Sequence, residues 1–237
     1  MKNHFTIKLF IFFYLIFFIK VFSQNITADY ILEKSLLAHG GEENWKKINQ
    51  IKYLKTTISY TKTGDIKSKI IQEITHEFYP FLTTIVSNGK TLRTNGNGIE
   101  VFQDGKTIIN NEEIIKAKSV LDAAFYVFWQ PIKLKDTQAI ISYNGKKNLP
   151  NNKEAYVIKV DYKMSNDKWK FYFDTKSFLL IATEVNHNDR ISLIYTTDFN
   201  YKSELVFHFK RESYRVNKNQ TKMTLLATYT YNILNID

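Results

Sequence analysis

The sequence predicts an α+β protein in which an antiparallel sheet is covered by helices. Three observations point to it. Strand-like runs fill Ile51 to Asn110 and resume after the middle of the chain; turn signals such as Asn88-Gly89 and Asp104-Gly105 separate them; and helical apolar patterns occur before the first strand and in the chain centre.

The chain opens with Lys2 and Lys8, an apolar run from Leu9 to Ile19, and then Val21-Phe22-Ser23, which are the parts of a secretory signal. The apolar run is well short of the roughly 20 residues that span a bilayer, so the expectation is export with cleavage after Ser23. No later segment reads as a membrane span. The expected organisation is a signal peptide over 1–23 and a single domain over 24–237, long enough for a substantial core. Cysteine is absent, which excludes disulfides, thiolate metal sites, cysteine nucleophiles and an acylated N-terminal cysteine. Losing Lys2, Lys8 and Lys20 lowers the formal charge from +10 to +7. The remaining cations are mostly dispersed lysines, with arginine only at 93, 190, 211 and 215. That argues against a nucleic-acid partner, which favours clustered arginine and interleaved aromatics, and leaves a weak attraction to anionic lipid.

Thr27 is placed to cap a helix from Ala28 to about Ala38, with Ile31, Leu32, Ser35 and Leu36 at helical spacing. In the following "AHGGEENWKKI", Gly40 or Gly41 suits the left-handed position that ends a helix. Glu42 and Glu43 suit the positive end of a second short one bearing Trp45 and Ile48. The meander from Ile51 to Asn110 turns at Thr63-Gly64-Asp65, Asn88-Gly89, Asn95-Gly96-Asn97-Gly98 and Asp104-Gly105. Its strands are expected to keep one face dry and one wet. A helix over Asn111 to Phe128 then places Ile114, Ala117, Leu121, Phe125 and Phe128 on one face, and its end, "AAFYVFW", is apolar nearly all round before Pro131 stops it. Hairpins follow to the C-terminus. Tyr156, Ile158, Val160 and Tyr162 share one face, as do Trp169, Phe171 and Phe173, opposite Lys168, Lys170 and Asp174.

Candidate chemistry is sparse. His39-Gly40-Gly41 has the letters of an esterase oxyanion loop, but no Gly-x-Ser-x-Gly elbow exists and the strand–helix alternation of that fold is missing. His76, His187 and His208 each stand alone in sequence, without metal-ligand spacing; His187 with Asp189 reads as a polar turn. Glu42-Glu43 and Glu112-Glu113 sit at helix starts, where the helix dipole accounts for them. The expectation is a protein that is not an enzyme, with no cofactor, no catalytic set and no metal. Aromatic residues make up 15% of the chain and concentrate in the sheet and central helix, so a gap between them would accept a hydrophobic ligand.

"AHGGEENWKKI" after a first helix, "SNGKTLR" and "VFQDGKTI" in the meander, then "AFYVFWQPIKLKD" before "TQAIISYNGKK" together resemble the LolA-like group of periplasmic proteins, in particular members from Bacteroidota-type bacteria. The resemblance spans the mature chain. It implies a strongly curved antiparallel sheet, an incomplete β-barrel with helices covering the concave face as a lid. Lipoprotein carriers of the group shield acyl chains in that concavity without metal or covalent chemistry. Those carriers have an arginine before a proline that tethers the lid; here the matching pair is Tyr79-Pro80, with a single hydroxyl to offer. Asp104 to Thr107 keeps the group's turn, itself a hairpin signature.

The expected function is a periplasmic carrier for a lipid, acyl chain or lipoprotein. Trp45, Leu121, Phe125, Phe128 and Trp129 are expected on the lid side of the cavity, with Trp169, Phe171 and Phe173 lining the sheet. The expected protein is a monomer with transient membrane-surface or envelope-protein contacts. The alternative is an envelope scaffold with a filled core, in which "AAFYVFW" docks a partner.

Overall fold

The computed structural model describes residues 25–237 apart from 79, 95–97, 136–137 and 164. The signal segment, Tyr79 of the Tyr79-Pro80 pair and the first part of the Asn95–Gly98 turn lie outside the described residues.

Helix α1 spans Ala28–Ala38 and begins where Thr27 Oγ1 accepts from the Tyr30 amide at 3.1 Å. Its end is a Schellman motif: the Gly40 amide donates to the Leu37 carbonyl at 3.0 Å and the Gly41 amide to the Leu36 carbonyl at 2.8 Å. Both glycines have positive φ, +103° and +82°. Helix α2, Glu42–Lys46, starts at once, and its Trp45 drops into the core while the indole N–H donates to the His39 carbonyl at 3.0 Å. The run of small and acidic residues is thus a joint that sets Trp45 against the sheet.

Thirteen strands follow: β1 Gln50–Tyr60, β2 Ile66–Phe78, β3 Phe81–Ser87, β4 Lys90–Thr94, β5 Ile99–Gln103, β6 Lys106–Thr107, β7 Ala139–Asn148, β8 Glu154–Tyr162, β9 Lys168–Asp174, β10 Leu180–His187, β11 Arg190–Lys202, β12 Leu205–Val216 and β13 Met223–Ile236. They make one antiparallel sheet in the order β6-β5-β4-β3-β2-β1-β13-β12-β11-β10-β9-β8-β7. The sheet is large, curved and not closed. Bulges at Lys52/Tyr53, Ser59/Tyr60, Thr196/Asp198 and Asp198/Phe199 add the local twist that bends long strands. The tight turns are those the sequence marks, with Asn88 and Gly89 at φ 50° and 73°, and Asp104 and Gly105 at 49° and 78°.

Helix α3, Asn111–Phe128, is the crossover between the two sheet edges, leading from β6 towards β7 by way of a 3₁₀ turn at Ile132–Lys135. Asn110 Oδ1 caps it by accepting from the amides of Glu112 and Glu113. Eighteen residues give a rod of about 27 Å. Because β6 and β7 are opposite edges, the connection must cross the sheet, and it does so on the face that carries Tyr53, Val101 and Tyr231.

Strands β8–β10, which follow the meander, are buried on both faces. Tyr156, Ile158, Phe171 and Phe173 pack under α1 with Ile31, Leu32 and Leu36. On the opposite side Ala155, Val157, Tyr172 and Ala182 join Leu193 and Tyr195 in a separate core. The physical reason is cover on both sides: loop residue Leu149 packs on the outer face, and Gln220 of the β12–β13 connection bonds to Glu184 there. The apolar run Ala155–Ile158 carries that signal, since strands buried on both faces lose alternation.

Candidate functional site

Two helical covers divide the concave face. The far half of α3 is packed solid: Leu121, Ala124, Phe128 and Trp129 are buried with Trp45, Tyr53, Phe207 and Tyr231. Phe128 stacks on Tyr53 at 4.3 Å between ring centroids and lies 5.4 Å from Phe207, while Trp45 meets Trp129 edge-on at 4.7 Å. The first half of α3 carries smaller side chains towards the sheet, with Ala117 buried against it. There a cleft of about 500 Å³ opens over Ile70, Ile85 and Leu92, with Ala117 and Val120 of the helix above it and Lys90, Glu113 and Lys116 on its rim. Lys90 pairs with Glu113 at 2.5 Å, so the rim ties helix to sheet electrostatically. Ile70 and Val120 each keep 41% of their surface exposed inside this cleft.

Beyond the cleft the concave face turns polar. Arg211 is only 2% exposed; its guanidinium donates to Thr183 Oγ1 at 3.1 Å, with the phenols of Tyr231 and Tyr229 supporting its charge. Lys55 lies alongside, its ammonium 5.5 Å from the centre of the Tyr229 ring. Desolvation and then repulsion from Arg211 lower the Lys55 pKa. His208 Nδ1 bonds Thr196 Oγ1 at 2.8 Å, and its ring lies 6.4 Å from that of His39.

Three buried histidines give the protein an acid-sensitive stability. Burial pulls His39 down to about 4 and His76 to about 3, against an ordinary value of 6.5, and holds His208 well below it. In the unfolded chain each ring takes up a proton near pH 6.5; in the fold none does until the medium is far more acidic. Between pH 6.5 and about 4 the unfolded state therefore binds more protons, and stability falls with falling pH by about 1.4 kcal/mol per pH unit for each ring. Thermal melts between about pH 7.5 and about pH 5 should show a steadily falling Tm, and a flat Tm would mean that the rings are already charged in the fold.

The residues expected around one cavity fall into two groups. Trp45, Leu121, Phe128 and Trp129 are buried in one cluster with half-buried Phe125 at its edge, whereas Phe171 and Phe173 belong to the cluster under α1. Of the expected sheet lining, α1 covers Phe171 and Phe173, while α3 reaches this part through Tyr126, 5.7 Å from Trp169. Period two sorts residues by face, but it does not say which helix lies opposite. Sequence reasoning missed the cleft residues Ile70, Ala117 and Val120 and the Arg211–Lys55 pair. Ala117 was read on the correct helix face. Arg211 was hidden because a charged residue in an alternating strand reads as facing solvent, and only the pairing of β12 with β13 and β11 brings it under cover. His187, read with Asp189 as a turn, is the last residue of β10, just before the Asn188-Asp189 turn, and its Nδ1 pairs with Asp167 at 2.6 Å. His39 and His208, solitary in sequence, are neighbours in space.

An open, bulged antiparallel sheet whose concave side is bridged by a crossover helix is the half-barrel of the LolA type. The LolA superfamily protein NE2245 from Nitrosomonas europaea superposes on it with a TM-score of 0.53 at 10% identity, covering 90% of this chain and 93% of that one. A DUF1329 family protein from Desulfovibrio piger does so with a TM-score of 0.51 at 7% identity, over 88% and 92% of the two chains. No curated protein sequence matches. Residues 7–233 match the family of unknown function DUF6503, and the chain belongs to that family.

Proposed function

We propose that this protein is an exported, periplasmic, non-enzymatic carrier that holds a lipid or acyl chain between its curved sheet and its helices. The observation that carries the reading is the cleft of about 500 Å³ under the first half of α3, floored by Ile70, Ile85 and Leu92. Clefts of that size with an apolar floor and a few polar groups at the rim suit small apolar ligands. Each methylene buried there contributes about 0.8 kcal/mol, so a short acyl segment provides useful affinity without charge contacts. In this reading the packed end of α3, through Phe128, Trp129 and Trp45, is the fixed hinge of the cover. Leu121 and Phe125 border its movable end. Trp169, Phe171 and Phe173 meet ligand only when α1 lifts. The resemblance to periplasmic carriers points the same way. In this reading the carrier is a monomer that meets an envelope partner transiently.

The test is titration of the purified protein with a fluorescent fatty acid, together with native mass spectrometry for co-purified lipid. Saturable uptake is expected, and Val120→Trp, which fills the cleft from an exposed helix position, should weaken it about tenfold without lowering Tm. Absence of both uptake and co-purified lipid would sink the carrier reading. The scaffold alternative would then stand, supported by the solid packing around Phe128.

A further inference from the structure

The interior polar patch is chemically lopsided. Lys55 holds its ammonium over the Tyr229 ring and Arg211 lies opposite Tyr229 in the ladder; the charged and titratable groups that interact with Arg211 are Tyr231, Tyr229, Lys55 and His208. Among the described residues Glu184 is the only buried carboxylate, and it is spent elsewhere. It follows Thr183 on β10, so it points to the opposite face, where it bonds Lys170 at 2.8 Å and Tyr172 at 3.0 Å. Arg211 Nε has no hydrogen-bond partner among the described residues. Buried cationic donors without an acid partner are costly, because desolvation is not offset by a counter-charge. A site that keeps them is complementary to an anion.

Register connects this patch to the cleft. Ile70 on β2 lies opposite Thr57 on β1, Thr57 opposite Tyr229 on β13, and Tyr229 opposite Arg211 on β12. The adjoining row runs from Gln72 through Lys55 to Tyr231. Directly opposed residues share a face, so Ile70 and Gln72 in the cleft and Arg211 in the patch belong to one concave floor. Three inter-strand steps separate them, about 14 Å.

Resting on the carrier reading above, we propose that Arg211 and Lys55 seat the acidic head group of a single-chain amphiphile, a carboxylate or a phosphate, whose tail lies across the sheet into the cleft under α3. Arg211 supplies a planar fork suited to two oxyanion oxygens, and Lys55 supplies a mobile point charge at the entrance. Tyr231 and Thr183 hold the fork in place.

The test compares palmitate, a lysophosphatidate and hexadecanol, which share a saturated tail and differ in head group, on the wild-type protein and on Lys55→Met and Arg211→Met. Wild type should bind one or both acids about tenfold more tightly than the alcohol, the preferred acid identifying the head group. Lys55→Met, at a half-buried position, should shrink that preference severalfold while leaving hexadecanol affinity unchanged and Tm no lower. Arg211→Met should abolish the preference; if that variant does not fold, Lys55→Met decides. Equal affinity for acids and alcohol in wild type, or an undiminished preference in the folded variants, overturns the head-group site while the carrier reading stands. Failure of all three ligands to bind overturns both.

Discussion

Replacing Gly40 by valine is expected to destabilise the protein by about 4 kcal/mol or more, one of the few single changes in the exceptional range. A Cβ added at Gly40 would come within 2.3 Å of the Glu204 carbonyl oxygen and 2.9 Å of the Leu205 Cα, both backbone atoms that cannot swing away. The backbone there, at φ +103°, is also one that a β-branched residue does not adopt. Gly41 differs. It has φ +82° and ψ 145°, nearly a glycine-only conformation, but a Cβ there meets nothing within 4 Å. Its valine variant should lose only the conformational part, about 1–3 kcal/mol. Urea unfolding of the two variants separates these contributions. Equal losses would show that the close approach of the α1–α2 joint to the β11–β12 turn is not what Gly40 is there for.

Phe128→Ala should cost about 3–5 kcal/mol and lower Tm by about 10 °C. The ring is 5% exposed and touches Tyr53, His76, Trp129, Phe207 and Tyr231, so its removal leaves a hole between α3 and strands from both halves of the sheet. Large aromatic neighbours on several elements cannot all collapse into that space, which places the cost at the upper end. Phe125→Ala, at a half-buried position one turn earlier, should cost clearly less. A loss under about 1 kcal/mol for Phe128→Ala would contradict the assignment of this end of α3 as the fixed one.

What the sequence disclosed follows the range of the interactions involved. The Thr27 and Asn110 caps, the Gly40-Gly41 stop and the Asn-Gly and Asp-Gly turns are settled within a few residues, and each was legible. The apolar face of α3 was legible too, because 3.6-residue spacing marks it directly. The site was not. Its cleft lies beside Ala117 and Val120, where the stripe carries small side chains, while Phe128 fills the space at the other end. Its cations meet because β12, β13 and β1, distant in sequence, align Arg211, Tyr229 and Thr57 in one row. A charged residue in an alternating strand reads as facing solvent, and no local rule states which helix will cover Phe171.

The strand order has a bearing on how the molecule is assembled. β1 to β6 pair consecutively, as do β7 to β12, and each run can zip up as it is made. The two ribbons have only one common seam, β13, which lies between β1 and β12 and comes after every other strand in the chain. Until those final residues are available the protein is two half-sheets tethered by α3, with Tyr53 and Phe207 unable to meet around Phe128. The closing strand therefore acts as the fastener of the whole shell.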